Sequence, residues 1–330
     1  MRIHIQNPPP PADGSPDPFI ITAAQVEQAA ARGGETEAHT LSFGNDAASF
    51  AAGIADAEAV VTTPGQILGR FPVAAPRLRM IFCTSAGLDR LLPFDWLPPG
   101  VALLNNRGVH SAKVGEYSLM ALLMLAARVP AYATQQRAGV WKPFFTPILR
   151  GRRLLVVGTG DLGAAGAREA RRYGMHVTGV RARPAPHPDF DAILGTDALD
   201  AALADTEFLL LACPLTPATR NILDRRRLGL LPAGAGLINV GRGALLDQDA
   251  LCDLLEAGRL SGAVLDVTVP EPLPPDARLW RTPNLLVTPH VAADNPETYN
   301  VDSLDIFFAN LRAARAGEAM PNLVDPGRGY

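Results

Sequence analysis

Residues 152–174, near the middle of the chain, read RRLLVVGTGDLGAAGAREARRYG and carry the strongest indication of its fold. An apolar strand, a turn with the spacing GxGxxG and an alanine-rich helix follow one another, and the strand HVTGV comes next. This order is typical of a βαβ unit that binds a dinucleotide, because the glycines let backbone approach a pyrophosphate and the helix N-terminus offers it N–H groups. Since the chain has 30 glycines, the alternative is that these glycines only ease strand–helix packing.

The end of the second strand bears on which dinucleotide binds. A site for NAD usually has an acidic residue there, to accept hydrogen bonds from the ribose hydroxyls. This chain has Arg181 at that position and Arg183 two residues later. Guanidinium groups pair with a 2′-phosphate, which a carboxylate would repel. The sequence therefore favours NADP(H), and the alternative is that both arginines are solvated and NAD(H) binds.

Strand-like and helix-like segments alternate on both sides of this unit. The predicted strands are AEAVVTT, RLRMIFC, VALLNN, EFLLLAC, GLINV, GAVLDV and NLLVTPH, and residues 1–6 also alternate like a strand. One long buried helix is predicted over 113–133, which Pro130 bends or ends, and an amphipathic helix over 302–318. This alternation of strands and helices predicts an α/β protein with two Rossmann-like doubly wound parallel-sheet domains joined by long helices.

Composition excludes several classes of protein. The 330 residues are 48% hydrophobic and 19% charged, with a net charge of −3. Because there is no basic run, nucleic acid is not an expected partner. The longest apolar stretch, 119–127, is too short for a bilayer, and the first residues lack a signal-peptide core. Three cysteines without CxxC spacing indicate no metal site and a reducing compartment, so we expect a cytoplasmic protein.

Three chemically suitable residues each follow a predicted strand: Arg242, Glu271 and His290. The carboxyl edge of an open α/β sheet is where ligands bind. Arg242 stands between Gly241 and Gly243, and bare backbone on both sides would let a small anion approach the guanidinium. Taken singly, each residue has a simpler interpretation as a solvated loop residue, but three on one edge favour a site.

A set of ordered motifs extends this observation. They are CTSAGLD, NNRGVHSAKVGEYSL, GTGDLG, CPLTPATRNIL, INVGRGALLD, LDVTVPEPLP and TPHVA. Over nearly its full length the chain resembles the D-isomer-specific 2-hydroxyacid dehydrogenase family, and within it the glyoxylate/hydroxypyruvate reductases. The resemblance implies hydride transfer between a nicotinamide cofactor and C2 of a small 2-keto or 2-hydroxy acid.

The resemblance also implies roles for the three residues. Arg242 would bind the substrate carboxylate and polarise the keto oxygen, His290 would protonate that oxygen, and Glu271 would orient the imidazole. Elementary chemistry agrees, because a fixed guanidinium stabilises charge that develops on oxygen and a nearby carboxylate stabilises an imidazolium.

Further positions match the family's motifs. Ser85, Ala86 and Gly87 would present N–H groups to the substrate carboxylate, with a plain turn as the alternative, and Trp141 would line the substrate pocket, with a core or interface tryptophan as the alternative. The positions matched to cofactor binding are Gly158, Gly160, Asp161, Leu162, Gly163, Arg181, Arg183, Cys213, Pro214 and Asp266. Asp266 would contact the nicotinamide carboxamide, Pro214 would lie under the ring, and Asp161 brings a negative side chain near the pyrophosphate.

Domain order follows from the resemblance as well. Residues 1–112 with 299–330 would form a flavodoxin-like substrate domain, and 113–298 the dinucleotide-binding domain. Family members usually dimerise through the latter, so a homodimer is expected. Two other functions stay open: a dinucleotide-sensing binding protein of the same fold and, disfavoured by Glu271 where that enzyme has glutamine, a formate dehydrogenase.

Overall fold

A computed structural model describes residues 1–327 and divides the chain into two compact units. Unit 1 comprises Met1–Val109 and the chain from Asn295 onward, and unit 2 comprises His110–Asp294. Each contains one wholly parallel sheet of its own, with five strands in unit 1 and seven in unit 2. The predicted fold class, two doubly wound α/β domains, is confirmed.

Unit 1 contains β1 (Arg2–Gln6), α1 (Ala23–Arg32), β2 (Thr40–Gly44), α2 (Ala47–Ile54), β3 (Ala59–Thr62), α3 (Pro64–Ile67), β4 (Met80–Cys83), β5 (Ala102–Leu104) and, from the end of the chain, α10 (Tyr299–Ala316). The strand order is β2-β1-β3-β4-β5, the order of flavodoxin-like sheets. Helix α10 covers one face, where Phe307 and Phe308 pack with Phe82 in a core of fully buried side chains. The C-terminal segment thereby completes the core of the N-terminal sheet.

Unit 2 contains α4 (Ser111–Ala126), α5 (Val129–Arg137), β6 (Arg153–Val157), α6 (Asp161–Arg172), β7 (His176–Val180), β8 (Ala192–Leu194), α7 (Leu199–Ala204), β9 (Phe208–Leu211), α8 (Arg225–Leu228), β10 (Gly236–Asn239), α9 (Gln248–Glu256), β11 (Gly262–Leu265) and β12 (Leu285–Val287). Read from the edge, the order is β8-β7-β6-β9-β10-β11-β12. This is the Rossmann arrangement with one more strand, and chain order reverses between β6 and β9, where such sheets open a crevice.

Two details differ from the sequence prediction. The helix over 113–133, expected to bend or end at Pro130, is two helices, α4 and α5, that meet at an angle of 61°. The break falls at Arg128, whose φ of 58° is left-handed, and Pro130 lies in the first turn of α5, where its missing N–H costs no hydrogen bond. Strands β2 and β8, both at or near sheet edges, were not predicted.

No single helix within residues 1–327 is long and apolar enough to cross a bilayer, and only α4 and α5 counted together, across their bend, reach the required length and composition.

Candidate active site

Three of the predicted site residues lie just past the carboxyl ends of neighbouring strands in unit 2. Arg242 follows β10, Glu271 follows β11 and His290 follows β12. Because these strands are adjacent and parallel, their carboxyl ends meet at one edge of the sheet. The fold therefore brings the three residues to the same edge.

His290 and Glu271 form a hydrogen-bonded pair. Nδ1 of His290 lies 3.0 Å from Oε2 of Glu271, and Oε1 of Glu271 accepts a bond of 2.9 Å from the Thr268 N–H. A carboxylate only accepts, so the proton of the neutral ring sits on Nδ1 and Nε2 is left to take or give a proton. The His290 side chain is 44% exposed, against 25% for Glu271, so the ring can reach a ligand.

The backbone of His290 has an uncommon conformation. Its φ is +57°, in the left-handed region that non-glycine residues rarely occupy. The N–H of His290 donates to the carbonyl oxygens of Asp266, at 2.8 Å, and Thr288, at 3.1 Å. A conformation of this kind persists only where its surroundings fix it, and such residues cluster at functional sites.

A buried chain of hydrogen bonds fixes the segment that contains His290. Asp266 is 2% exposed, and its carboxylate accepts from the Val291 N–H at 2.9 Å, the Ala292 N–H at 3.0 Å and the Thr288 hydroxyl at 2.6 Å. Burial raises the pKa of Tyr117 to about 12, so its phenol keeps its proton and donates to Thr288 at 2.6 Å. The predicted contact of Asp266 with a nicotinamide stays a prediction. Its hydrogen bonds with the 290–292 backbone are observed in the structure.

Arg242 lies in a closely packed loop. Its Nη1 donates to the carbonyl oxygen of Gly241 at 2.9 Å, and its own carbonyl oxygen accepts from the Asn239 side chain at 3.0 Å. A Cβ at Gly243 would lie 2.2 Å from the backbone of Thr268. A Cβ at Gly241 would lie 2.7 Å from the Leu245 side chain, so both glycines are required by close packing on their Cβ side. The predicted approach of an anion to Arg242 stays a prediction.

The glycine turn after β6 has the features a pyrophosphate requires. Gly158 has φ +98°, and a Cβ there would lie 2.5 Å from the backbone of Cys213; a Cβ at Gly163 would lie 1.9 Å from the Gly158 oxygen. At Gly160, which caps α6, a Cβ would meet nothing within 4 Å. The Thr159 hydroxyl in this turn is buried and has no hydrogen-bond partner among residues 1–327. Open space at a helix N-terminus, with an unsatisfied hydroxyl beside it, fits a phosphate group.

The other predicted cofactor residues surround this turn. Asp161 and Leu162 form the first turn of α6, where Leu162 also packs on the core. Arg181, half-buried, and the exposed Arg183 follow β7, and the buried Cys213 and exposed Pro214 follow β9. Burial raises the pKa of the Cys213 thiol to about 12, so it is an apolar group rather than a nucleophile.

The predicted substrate loop lies in unit 1, directly after β4. The Ser85 hydroxyl donates to the Gly87 oxygen at 3.0 Å, while the carbonyl oxygens of Ser85 and Ala86 accept from the Asn106 backbone and the Asn105 side chain. Across residues 1–327, no acceptor pairs with the backbone N–H groups of residues 85–87. Three successive amides of this kind suit an anion.

Trp141 is not brought to the strand edge by its own chain. It is fully exposed in the irregular segment between α5 and β6, so its predicted contact with substrate remains a prediction.

Some functional candidates were missed at the sequence level. Tyr117, Thr268 and Thr288 lie inside matched motifs, yet only folding shows that they orient Glu271 and the 290–292 segment.

Within the described chain, no group of three or more His, Cys, Asp or Glu side chains is arranged to hold a metal ion.

Comparison with known proteins decides the family. The family model described as "D-isomer specific 2-hydroxyacid dehydrogenase, NAD binding domain" matches residues 119–292. This chain belongs to that family. It is accordingly a nicotinamide-dependent dehydrogenase of 2-hydroxy acids, as the ordered motifs predicted.

Individual relatives agree in sequence and fold. The glyoxylate/hydroxypyruvate reductase B of Pectobacterium carotovorum is 32% identical, over 83% of this chain and 87% of that protein. The D-isomer specific 2-hydroxyacid dehydrogenase of Xanthobacter autotrophicus, solved with NADPH and MES, superposes with a TM-score of 0.82 at 29% identity, covering 99% of both chains. The NADPH-dependent glyoxylate/hydroxypyruvate reductase of Sinorhizobium meliloti, solved with NADP and sulfate, gives a TM-score of 0.80 at 25% identity, covering 100% of this chain and 99% of that one.

Proposed function

We propose that this protein reduces a small 2-keto acid with NADPH, glyoxylate or hydroxypyruvate being the favoured substrate, and that Arg242, Glu271 and His290 are its catalytic residues. The proposal is carried by the 3.0 Å bond between His290 and Glu271 at the sheet edge that also bears Arg242. A proton donor, a carboxylate partner and a guanidinium are the groups needed to reduce a carbonyl beside a carboxylate.

Each side chain has a defined task in this reaction. Arg242 binds the substrate carboxylate and stabilises the negative charge that develops on the keto oxygen. Nε2–H of His290 gives that oxygen its proton, and Glu271 holds the ring and stabilises the imidazolium form before donation. The reduced nicotinamide, when bound, supplies the hydride to C2. In the reverse direction, neutral His290 takes the proton of the substrate hydroxyl.

The two predicted domains divide the binding tasks. We assign dinucleotide binding to residues 113–298 and substrate binding to 1–112 with 299–330. The glycine turn at 158–163 supports the first assignment. The backbone N–H groups of residues 85–87, which have no acceptor in the described part of the chain, support the second, since they would hold the substrate carboxylate.

The preference for NADPH rests on the end of β7. Arg181 and Arg183 stand where an acidic residue would select NAD, and the Xanthobacter and Sinorhizobium relatives hold NADPH and NADP. In steady-state kinetics, kcat/KM is expected to be higher with NADPH than with NADH. The double variant Arg181→Ala/Arg183→Ala should lose that difference through a raised KM for NADPH alone. A clear preference of the wild type for NADH would contradict the assignment.

A panel of substrates tests the function itself. Glyoxylate, hydroxypyruvate, pyruvate and phenylpyruvate are each assayed with NADPH and NADH, and formate with the oxidised cofactors. Fastest turnover is expected with glyoxylate or hydroxypyruvate. Tight cofactor binding without turnover of any acid would instead indicate a dinucleotide sensor, and oxidation of formate alone would indicate a formate dehydrogenase.

We also propose a homodimer through unit 2. Large apolar side chains are exposed on α4, on α5 and in the segment before β6: Met120, Leu123, Val129, Tyr132, Val140, Trp141, Phe145 and Ile148. A contiguous chain segment with this composition favours burial in an interface. Sedimentation should give a dimer for the wild type and a monomer for Phe145→Asp.

The variant Trp141→Ala tests the predicted substrate contact of Trp141. A raised KM for the keto acid in a protein that is still dimeric would support that contact.

A cytoplasmic location completes the proposal, without a nucleic-acid or membrane partner. All three cysteines are free and buried, as suits a reducing compartment. Fractionation of source cells should place the activity in the soluble cytoplasmic fraction.

A further inference from the structure

The two ends of unit 2 come together at one histidine. The chain enters this unit at His110 and leaves it at Asp294. His110 immediately precedes α4, and it is 8% exposed. Asp294 ends the segment that begins at His290, so one short stretch separates the proposed acid–base residue from this end of the unit.

The His110 ring bonds to that segment. Its Nδ1 lies 3.1 Å from the carbonyl oxygen of Ala293 and 3.7 Å from Oδ1 of Asp294. Because a carbonyl oxygen only accepts, Nδ1 must carry a proton, which fixes the tautomer of the neutral ring. The ring thus donates to backbone three residues after His290, with a carboxylate close behind it.

Segment 290–294 is consequently held at two places. Asp266 accepts from the Val291 and Ala292 N–H groups near its start, and His110 donates to the Ala293 oxygen near its end. Between them they hold His290 in its left-handed conformation, which a free loop would not keep.

The charges of Asp266, Arg242 and His290 act on the pKa values of His110 and Asp294, which shows that these groups lie close together. Burial lowers the pKa of His110, the Ala293 oxygen and Asp294 oppose that shift, and the charges of Arg242 and His290 add to it. Burial raises the pKa of Asp294, while His110 and His290 oppose the shift and Asp266 adds to it. His110 therefore stays neutral near pH 7, where its task is to donate one hydrogen bond.

We propose that His110 is a positioning residue for His290: its Nδ1–H bond to Ala293, backed by Asp294, holds the far end of segment 290–294 so that His290 stays against Glu271. The inference rests on the proposed function, since that function makes His290 the acid–base residue. His110 acts through the backbone and is not assigned a contact with substrate.

Kinetics of three variants test this role. His110→Leu removes the donor, and His110→Asn keeps an amide N–H close to the position of Nδ1. We expect His110→Leu to lower kcat by about 10- to 100-fold, the usual effect of losing a group that orients a site residue. The KM for the keto acid and the Kd for NADPH should change less than about threefold, and Asn should restore kcat to within about fivefold of wild type. His176→Leu, an exposed histidine at the start of β7, is the matched control and should leave kcat unchanged.

Nitrogen-detected spectra of the six imidazoles give a readout independent of turnover. The Nδ1–H signal of His290 bonded to Glu271, assigned with His290→Gln, is expected to be lost or broadened in His110→Leu and present in His110→Asn. If the wild type reduces no keto acid, the proposed function fails, yet this spectrum still decides whether His110 orients His290.

Several results would overturn the proposal. One is a normal kcat together with a normal His290 signal in His110→Leu, and another is a kcat of His110→Asn as low as that of His110→Leu. A third is a fall in kcat accompanied by a raised KM, a raised Kd and a lower melting temperature, which marks a general packing defect. If His110→Leu does not fold, His110→Gln replaces it, because its amide is displaced from the Nδ1 position. A Gln variant with wild-type kcat and signal would then refute the assignment.

Discussion

The two halves of the seven-stranded sheet are built on opposite principles. Around β6 and β7 the turn at 158–163 works by leaving side chains out, because backbone and open space lie where a Cβ would stand at Gly158, Gly160 and Gly163. Around β10, β11 and β12 the proposed site consists of side chains, and buried hydrogen bonds donated to Asp266 fix the backbone that follows one of them, His290. The proposed phosphate site is thus encoded by local sterics, whereas the proposed catalytic site depends on partners far apart in sequence.

The largest expected effect lies in the side-chain half. His290→Ala or Arg242→Ala should lower kcat/KM by at least about 100-fold, the scale for an acid–base or charge-stabilising group. The Kd for NADPH, from fluorescence titration, should stay within about twofold of wild type. His176→Ala is the control, and near-normal activity of either variant would remove its residue from the catalytic set.

Glycine variants test the other half. Gly160→Ala adds a methyl group to open space at the helix N-terminus, so it should leave the melting temperature unchanged and weaken NADPH binding by about tenfold or more, since close backbone approach is lost. Gly163→Ala forces a Cβ against backbone and should cost about 1–3 kcal/mol of unfolding free energy. Gly115→Ala on α4, where a Cβ makes only ordinary contacts of 3.5 Å or more, is the matched control for both. Unchanged NADPH affinity in Gly160→Ala would contradict a backbone-built phosphate site.

A smaller effect is expected from the buried hydrogen bonds that link Tyr117, Thr288 and Asp266. Thr288→Val leaves the Tyr117 hydroxyl without its acceptor, and it removes one of the two hydrogen bonds to Asp266 Oδ1, of which the Val291 N–H bond remains. Loss of the partner of a buried group costs about 1–3 kcal/mol. We also expect kcat to fall, because the 290–292 backbone loosens. Chemical denaturation and kinetics measure both, with Thr178→Val, half-buried in β7, as the control. If stability falls and kcat does not, the network supports the fold without orienting His290.

The smallest effect concerns Cys213, which faces Gly158 between the two halves. Its thiol pKa is raised to about 12 by burial, and only the thiolate reacts with electrophiles. Labelling by iodoacetamide at pH 8 should therefore be very slow and should rise about tenfold per pH unit while the fold persists. Mass spectrometry of the native protein checks this, and the unfolded protein should label at all three cysteines. Fast labelling of native Cys213 would show that the boundary between the halves opens readily.

Local patterns predicted much of the fold. The strands with continuous apolar runs, such as those at 153–157 and 208–211, are found where the sequence placed them, because burial on both faces leaves an unmistakable composition. The short edge strand β8 lacks that signature, since it is only partly buried. The break in 113–133 was predicted at Pro130 and lies two residues earlier, at Arg128, because a left-handed residue before a proline has no composition signal of its own.

Sequence patterns alone identify the family, the glycine turn and three candidate residues, Arg242, Glu271 and His290. Each of the three follows a strand, and strand ends can be recognised locally. How these residues are held is visible only in the folded chain: Tyr117 contacts Thr288 across 171 positions, and His110 contacts Ala293 across 183. The spacing of residues along a chain indicates which face of an element they share. It does not indicate which distant residue lies opposite, because that depends on how the whole chain packs.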